Sequence, residues 1–103
     1  MAIYIKIKKI SNKEDNKKIY YEVSTQDFGG SIFYFCIDQE SKQIFFSIAN
    51  DFSKVIKTIN LLHLEEPIGS LDNVDQRIYT RVVMKAIKAF QESNFSEFLD
   101  YCA

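Results

Sequence analysis

The sequence predicts an α+β domain: a four-stranded antiparallel meander, then a long C-terminal helix packed on the sheet, then a short final helix. Three observations lead there. Across residues 3–48 apolar side chains recur at every second position and turn formers fill the gaps, the pattern of half-buried strands. Across residues 74–92 the spacing changes to three and four, the period of an amphipathic helix. Strands first and helices last is the order of a segregated α+β fold, since a parallel sheet needs crossovers between its strands.

Taken in order, Ile3, Ile5 and Ile7 alternate with Tyr4, Lys6 and Lys8, which gives the first strand one buried face, and its lysines mark a sheet edge. The charged stretch Ser11 to Lys17 is a hairpin loop. Ile19, Tyr21 and Val23 alternate with Tyr20, Glu22 and Ser24 in a second strand that ends near Thr25. In Phe28-Gly29-Gly30 two adjacent glycines can take positive φ, which suits a bulge or bend; a phosphate-cradling loop would need more glycines and a helix directly after them. Instead Ser31-Ile32-Phe33-Tyr34-Phe35-Cys36-Ile37 follows, apolar on both faces as a central strand is, so something must cover its second face. A polar turn over residues 38–42 leads to the fourth strand, where Ile44, Phe46 and Ile48 alternate with Phe45 and Ser47.

Between residues 50 and 73 the pattern admits two structures. Phe52, Val55, Ile56, Ile59 and Leu62 fall at helical spacing behind an Asp51 cap, which favours a short helix, while the β-branched run Val55-Ile56-Lys57-Thr58-Ile59 also suits a strand. Pro67 turns Glu66 away from helical angles and places a turn there. The long helix runs from about Val74 to Glu92, with Asp72 or Asn73 as its cap and Asp75 against the positive end of its dipole. Ile78, Val82, Ala86, Ala89 and Phe90 form its apolar stripe, flanked by Tyr79, Val83 and Ile87. Asn94 or Ser96 can cap the final helix through Phe95, Phe98, Leu99 and Tyr101.

A single domain over residues 1–103 fits the length, and 47% hydrophobic with 15% aromatic residues supplies enough apolar surface to exclude disorder. No apolar run nears the roughly 18 residues that cross a bilayer, and Met1-Ala2-Ile3-Tyr4 lacks the apolar core of a signal peptide, so a cytoplasmic location without membrane contact is expected. In a reducing compartment Cys36 and Cys102 are expected as thiols, although a bridge between them is the alternative. Two cysteines and the single histidine, His63, cannot assemble a zinc set without several carboxylates, so no metal and no cofactor is expected. His63 lies among Leu61, Leu62 and Leu64 and is expected to be packed in the core. No nucleophile elbow, P-loop, dinucleotide fingerprint or zinc-protease motif occurs, and no catalytic residue is assigned.

The net charge of −1 hides a segregation. Residues 1–18 carry +4, residues 19–75 carry −6, residues 76–91 carry +4 and the remainder carries −3. Arg77, Arg81, Lys85 and Lys88 make one cationic stripe on the long helix, opposite its apolar face. Such a stripe could hold phosphates, but a pI near 5.8 and the lack of any nucleic-acid-binding signature favour a solvated face. Glu65, Glu66, Asp72 and Asp75 cluster near the proline turn and the helix start; beyond serving the dipole, they offer a negative patch to a basic partner. Tyr4, Tyr20 and Tyr21 are candidate aromatic contacts on the early strands.

The meander around Phe28-Gly29-Gly30-Ser31-Ile32-Phe33-Tyr34, the closing helix with Arg77-Ile78-Tyr79-Thr80-Arg81-Val82-Val83 and the missing catalytic motif together resemble the small bacterial immunity proteins of polymorphic-toxin and contact-dependent growth inhibition systems. The resemblance implies a protein that binds a cognate toxin domain, such as a nuclease, and occludes its active site or substrate surface. It transfers no functional residue. The residues themselves make Glu65, Glu66, Asp72 and Asp75 the expected docking patch, because a nuclease groove is basic. A structural or adaptor module is the alternative, and a small enzyme or nucleic-acid binder comes after it.

Overall fold

The computed structural model describes residues 4–10, 17–25, 30–49, 51–63, 65, 67–72, 74–99 and 101–102. Five strands form an antiparallel meander: β1 (Tyr4–Lys9), β2 (Lys18–Thr25), β3 (Gly30–Asp38), β4 (Gln43–Ser47) and β5 (Val55–Asn60). The helix α1 (Gln76–Glu92) follows, and a two-residue strand, β6 (Tyr101–Cys102), joins β1. The sheet order is β5-β4-β3-β2-β1-β6, so β3 is central, as its two apolar faces predict. The α+β layout matches the expected one in class and differs from it in two elements.

One difference is β5, which occupies the segment whose spacing favoured a short helix. Its residues pair with β4 from Gln43↔Asn60 to Ser47↔Val55, with Ile56 as an extra residue between Lys57 and Val55. A helix would have left the outer edge of β4 open, and pairing satisfies that row of backbone groups while the β-branched side chains fit the pleat. The other difference is the absence of the final short helix. Residues 94–99 are not helical, and residues 97–99 run antiparallel along β1. Lys9 N donates to Glu97 O at 2.7 Å and Leu99 N donates to Ile7 O at 2.9 Å, in the same register as Tyr4↔Cys102 and Ile5↔Tyr101. The first strand is therefore covered along the side its lysines had marked as an edge. A helix of six or seven residues is marginal on its own, whereas the flank of β1 offers ready donors and acceptors.

α1 begins two residues later than expected, because Asp75 is itself the cap: its Oδ1 accepts from Arg77 N at 2.8 Å. The helix ends on Ser93, held in the left-handed region at φ 52°, with Ser93 N donating to Phe90 O and Asn94 N to Ala89 O, a Schellman pair. Ile78, Tyr79, Val82, Val83, Ala86 and Ala89 are buried, while Phe90 of the predicted stripe and Ile87 of its flank are partly buried against the same core. They pack on Ile5, Ile7, Tyr21, Val23, Phe33, Phe35, Ile37, Ile44 and Phe46, which all project from one face of the sheet. Rings interlock across this layer: Phe46 meets Tyr79 edge-on at 5.4 Å and Tyr21 stacks on Phe35 at 5.1 Å. The buried tyrosines keep their hydroxyls satisfied, Tyr79 donating to Ile68 O at 2.6 Å and Tyr21 to Ser96 O at 2.8 Å. Burial pushes both phenols up to about 12.

Residues 61–75 return the chain from β5 to α1. Gly69, at φ 74°, lets this connection pass close over the Lys57 side chain, where a Cβ would meet Lys57 Nζ. The expected loop at Ser11 to Lys17 lies outside the described residues except for Lys17, as does the Phe28-Gly29-Gly30 bend except for Gly30. Near that bend the β2–β3 register shifts between Val23↔Phe33 and Ser24↔Ser31, leaving Ile32 as the extra residue. The disulfide alternative fails on topology. Cys36, on β3, is a buried thiol, and Cys102, on β6, stands three strand spacings away, roughly 14 Å against the 7 Å limit for a bridge.

Candidate functional site

With α1 on one face of the sheet, the opposite face has no helix over it among the described residues. Strand alternation and register fix what it shows. One cross-strand row reads Lys8, Glu22, Tyr34, Ser47; the next reads Tyr20, Cys36, Phe45, Thr58; the third reads Lys18, Asp38, Gln43, Asn60. The outer rows set Lys8 opposite Glu22 and Lys18 opposite Asp38, so their charges compensate. The middle row is apolar and aromatic. Tyr20, Tyr34 and Phe45 are half-buried, neither packed away nor fully in water.

Residues 48–49 and 51–54 fold over part of this face. Ser47, fully buried, holds that loop with its hydroxyl: it donates to Ala49 O or Lys54 O, each at 2.9 Å, and accepts from Ala49 N at 3.1 Å. Phe52 sits in the loop at φ 56°, a left-handed conformation that costs an aromatic residue about 1 kcal/mol or more. Its ring is thereby set edge-on to Tyr20, with centroids 5.2 Å apart and planes at 68°. Lys18, Tyr20, Cys36, Phe45, Phe52 and Val55 line an open depression of about 250 Å³, with Cys36, only 2% exposed, in its floor. This volume suits one large side chain of a partner rather than a cofactor, since cofactor pockets run to several hundred Å³.

The rim is held by polar contacts. Burial works to raise the Asp38 carboxyl, but donors from Ser41 and Glu40 and the nearby Lys18 charge outweigh it and hold the group below the usual carboxylate range. Glu40 N and Ser41 N reach Asp38 Oδ1 at 3.0 and 3.2 Å, the turn that closes the β3–β4 hairpin. Lys17 pairs with Glu40 at 3.3 Å, and Lys6 Nζ stands 5.8 Å from the Phe98 ring centroid.

The acidic residues expected to form one docking patch are held by different contacts. Glu65 is exposed, its carboxylate 3.6 Å from His63 Nδ1. Asp72 is exposed in the turn that precedes α1. Asp75 caps α1 and forks to Arg77, with Oδ2 3.1 Å from Nη2. The Arg77 hydrogen bonds hold the Asp75 carboxyl below its usual range, and the same contacts raise the guanidinium. Glu66 lies outside the described residues. His63, expected in the core, is exposed beside Glu65, because the chain has left β5 and turned there. Of the three tyrosines singled out in the sequence, Tyr21 is buried on the α1 side, Tyr20 lies on the open face, and the side chain of Tyr4 is outside the described residues.

Sequence patterning missed Tyr34, Phe45 and Phe52 as surface aromatics. A signal was present. One long helix can cover only one face of a strand that is apolar on both, so the face that carries Tyr34 had to lie elsewhere. Among the described residues no group of three or more potential ligands is placed to hold a metal ion, and no helix is long and apolar enough to cross a membrane.

Among the described residues, fold and site together define a helix over one face of an antiparallel sheet whose other face sets aromatic side chains among charged and polar ones. No protein-family model, no curated protein and no solved structure matches the chain.

Proposed function

We propose that this chain is a non-catalytic inhibitor of the immunity type, which neutralises a cognate bacterial toxin domain by occluding its active site or substrate surface. The observation that carries the proposal is the Phe52 ring, fixed at a strained φ against Tyr20 over a half-exposed aromatic row. Such strain persists where the surrounding structure holds it, here through the Ser47 hydroxyl, and strained positions cluster at binding sites. Rigid aromatic anchors around a depression lose little entropy on binding and are the commonest source of interface energy. Glu65, Glu66 and Asp72 add steering toward a basic target such as a nuclease groove, while Asp75 serves the helix.

The test is co-expression with a candidate toxin domain taken from the genes that flank this one in its source genome, scored by growth, followed by binding kinetics on the purified pair. Growth is restored by the native chain. Tyr34→Ala and Phe45→Ala each weaken binding about tenfold, mainly by faster dissociation. Reversing Glu65, Glu66 and Asp72 together slows association several-fold at low salt. An adaptor module would form the complex and leave the toxin active, and that outcome contradicts the proposal.

A further inference from the structure

A second recess lies where the connection from β5 to α1 crosses the outer edge of the sheet. Residues 57–60 of β5 line it on one side and His63, Pro67 and Ile68 on the other, around about 190 Å³. Ladder geometry gives the strand side its chemistry. Leu61 N donates to Lys42 O at 2.9 Å, so residues 57, 59 and 61 turn their backbone groups toward β4, and Thr58 and Asn60 turn theirs outward. β5 is the last strand of the sheet on this side, and neither outward N–H has a protein acceptor among the described residues. Of the two outward carbonyls, that of Asn60 is taken by His63 N at 3.2 Å, so donors prevail. Asn60 Oδ1 accepts from Leu62 N at 2.9 Å, which leaves the amide nitrogen as its remaining group.

Lys57 supplies the charge. Its half-buried side chain reaches to Gly69, whose positive φ and missing Cβ leave the space beside Nζ. Lys57 has no carboxylate partner among the described residues; Glu65 stands instead 3.6 Å from His63 Nδ1. We propose that this recess binds a phosphate group, with the Lys57 ammonium and the outward N–H groups of Thr58 and Asn60 as its donors. A sheet edge that turns backbone N–H groups into a concavity attracts anions, and hydrogen bonds from an ammonium to a charged oxygen are stronger than neutral ones. A phosphate offers oxygens in three directions to donors from main chain and side chain, whereas a carboxylate offers two in one plane. An incoming strand would meet Pro67 and Ile68 before it reached this edge. The recess is distinct from the aromatic sheet face and stands whether or not that face binds a toxin.

The experiment is an amide NMR titration of the full chain with sodium phosphate, with adenosine monophosphate and, as control, with sodium acetate, at constant pH and ionic strength. Phosphate shifts the amides of Thr58, Asn60 and His63 saturably, and acetate at the same concentration shifts them far less. Lys57→Gln weakens phosphate binding about tenfold on the same amides, and Lys57→Met, which keeps the packing of the stem, weakens it equally. Lys88→Gln, on α1, leaves it unchanged. Tighter binding of adenosine monophosphate upholds the site and assigns it a phosphate ester; tighter binding of inorganic phosphate upholds it and assigns the free ion. No saturable shift, shifts confined to other residues, an equal response to acetate, or an affinity indifferent to both Lys57 variants overturns the proposal.

Discussion

Phe52 and Ser47 act as a pair at the residue scale: the serine hydroxyl fixes a loop, and the loop holds a phenylalanine where few phenylalanines sit. Asparagine tolerates the left-handed region, so Phe52→Asn trades lost ring contact against relieved strain and changes stability by no more than about 1 kcal/mol in a urea titration. Under the proposed function the same change removes an anchor and weakens binding to the target. Tyr79 provides the contrast, since its hydroxyl bonds Ile68 O inside the core; Tyr79→Phe costs about 0.5–1.5 kcal/mol by the same titration and leaves binding intact. None of this was visible in the residue string. Ser47 and Phe52 fell in a pattern that gave one to a strand face and the other to a helix, because their roles depend on contacts with Ala49, Lys54 and Tyr20 that spacing does not encode.

Periodicity identified α1 and the first four strands at the scale of elements, because each buries one face against the same core and repeats its pattern over several turns or pleats. It failed at β5 and at residues 94–99 for a common reason. Both are short, and Phe95, Phe98 and Leu99 fall at helical spacing, yet the outcome was decided by which neighbour had backbone groups to offer. Leu99→Pro removes the donor to Ile7 O and is expected to lower stability by about 1–3 kcal/mol, read by thermal melting against the native chain. At the helix ends, Asp75→Ala lowers the melting temperature, and Asp75→Asn, which still caps but loses the ion pair with Arg77, lowers it less. Ser93→Gly relieves the left-handed terminus and stabilises by about 0.5–1 kcal/mol. The bulge at Ile56 twists the outer edge of β5, a device that discourages pairing with another chain although Val55 and Ile56 are exposed.

For the whole molecule, pH dependence reports on the core. Tyr21 and Tyr79 have phenols pushed up to about 12 from an ordinary value of 10.0, so the folded state holds their protons more tightly than the unfolded one. Their contribution is complete below pH 10 and is lost as pH rises toward 12, so stability should fall steeply across that window and more gently in Tyr79→Phe. Asp38 works at the other end: its depressed carboxyl stabilises the fold above the ordinary value of 3.8 and ceases to do so as acid protonates it. Function was less legible than fold. Charge counting pointed to Glu65, Glu66, Asp72 and Asp75, but counting cannot tell a steering charge from a helix cap, and Asp75 is the cap. The affinity of native and Phe52→Asn chains for the proposed toxin target, measured beside their melting curves, tests the proposed function most directly. Binding at least about tenfold weaker with the melting temperature preserved is the predicted result; equal affinity for the two chains would contradict an inhibitor that works through its aromatic sheet face.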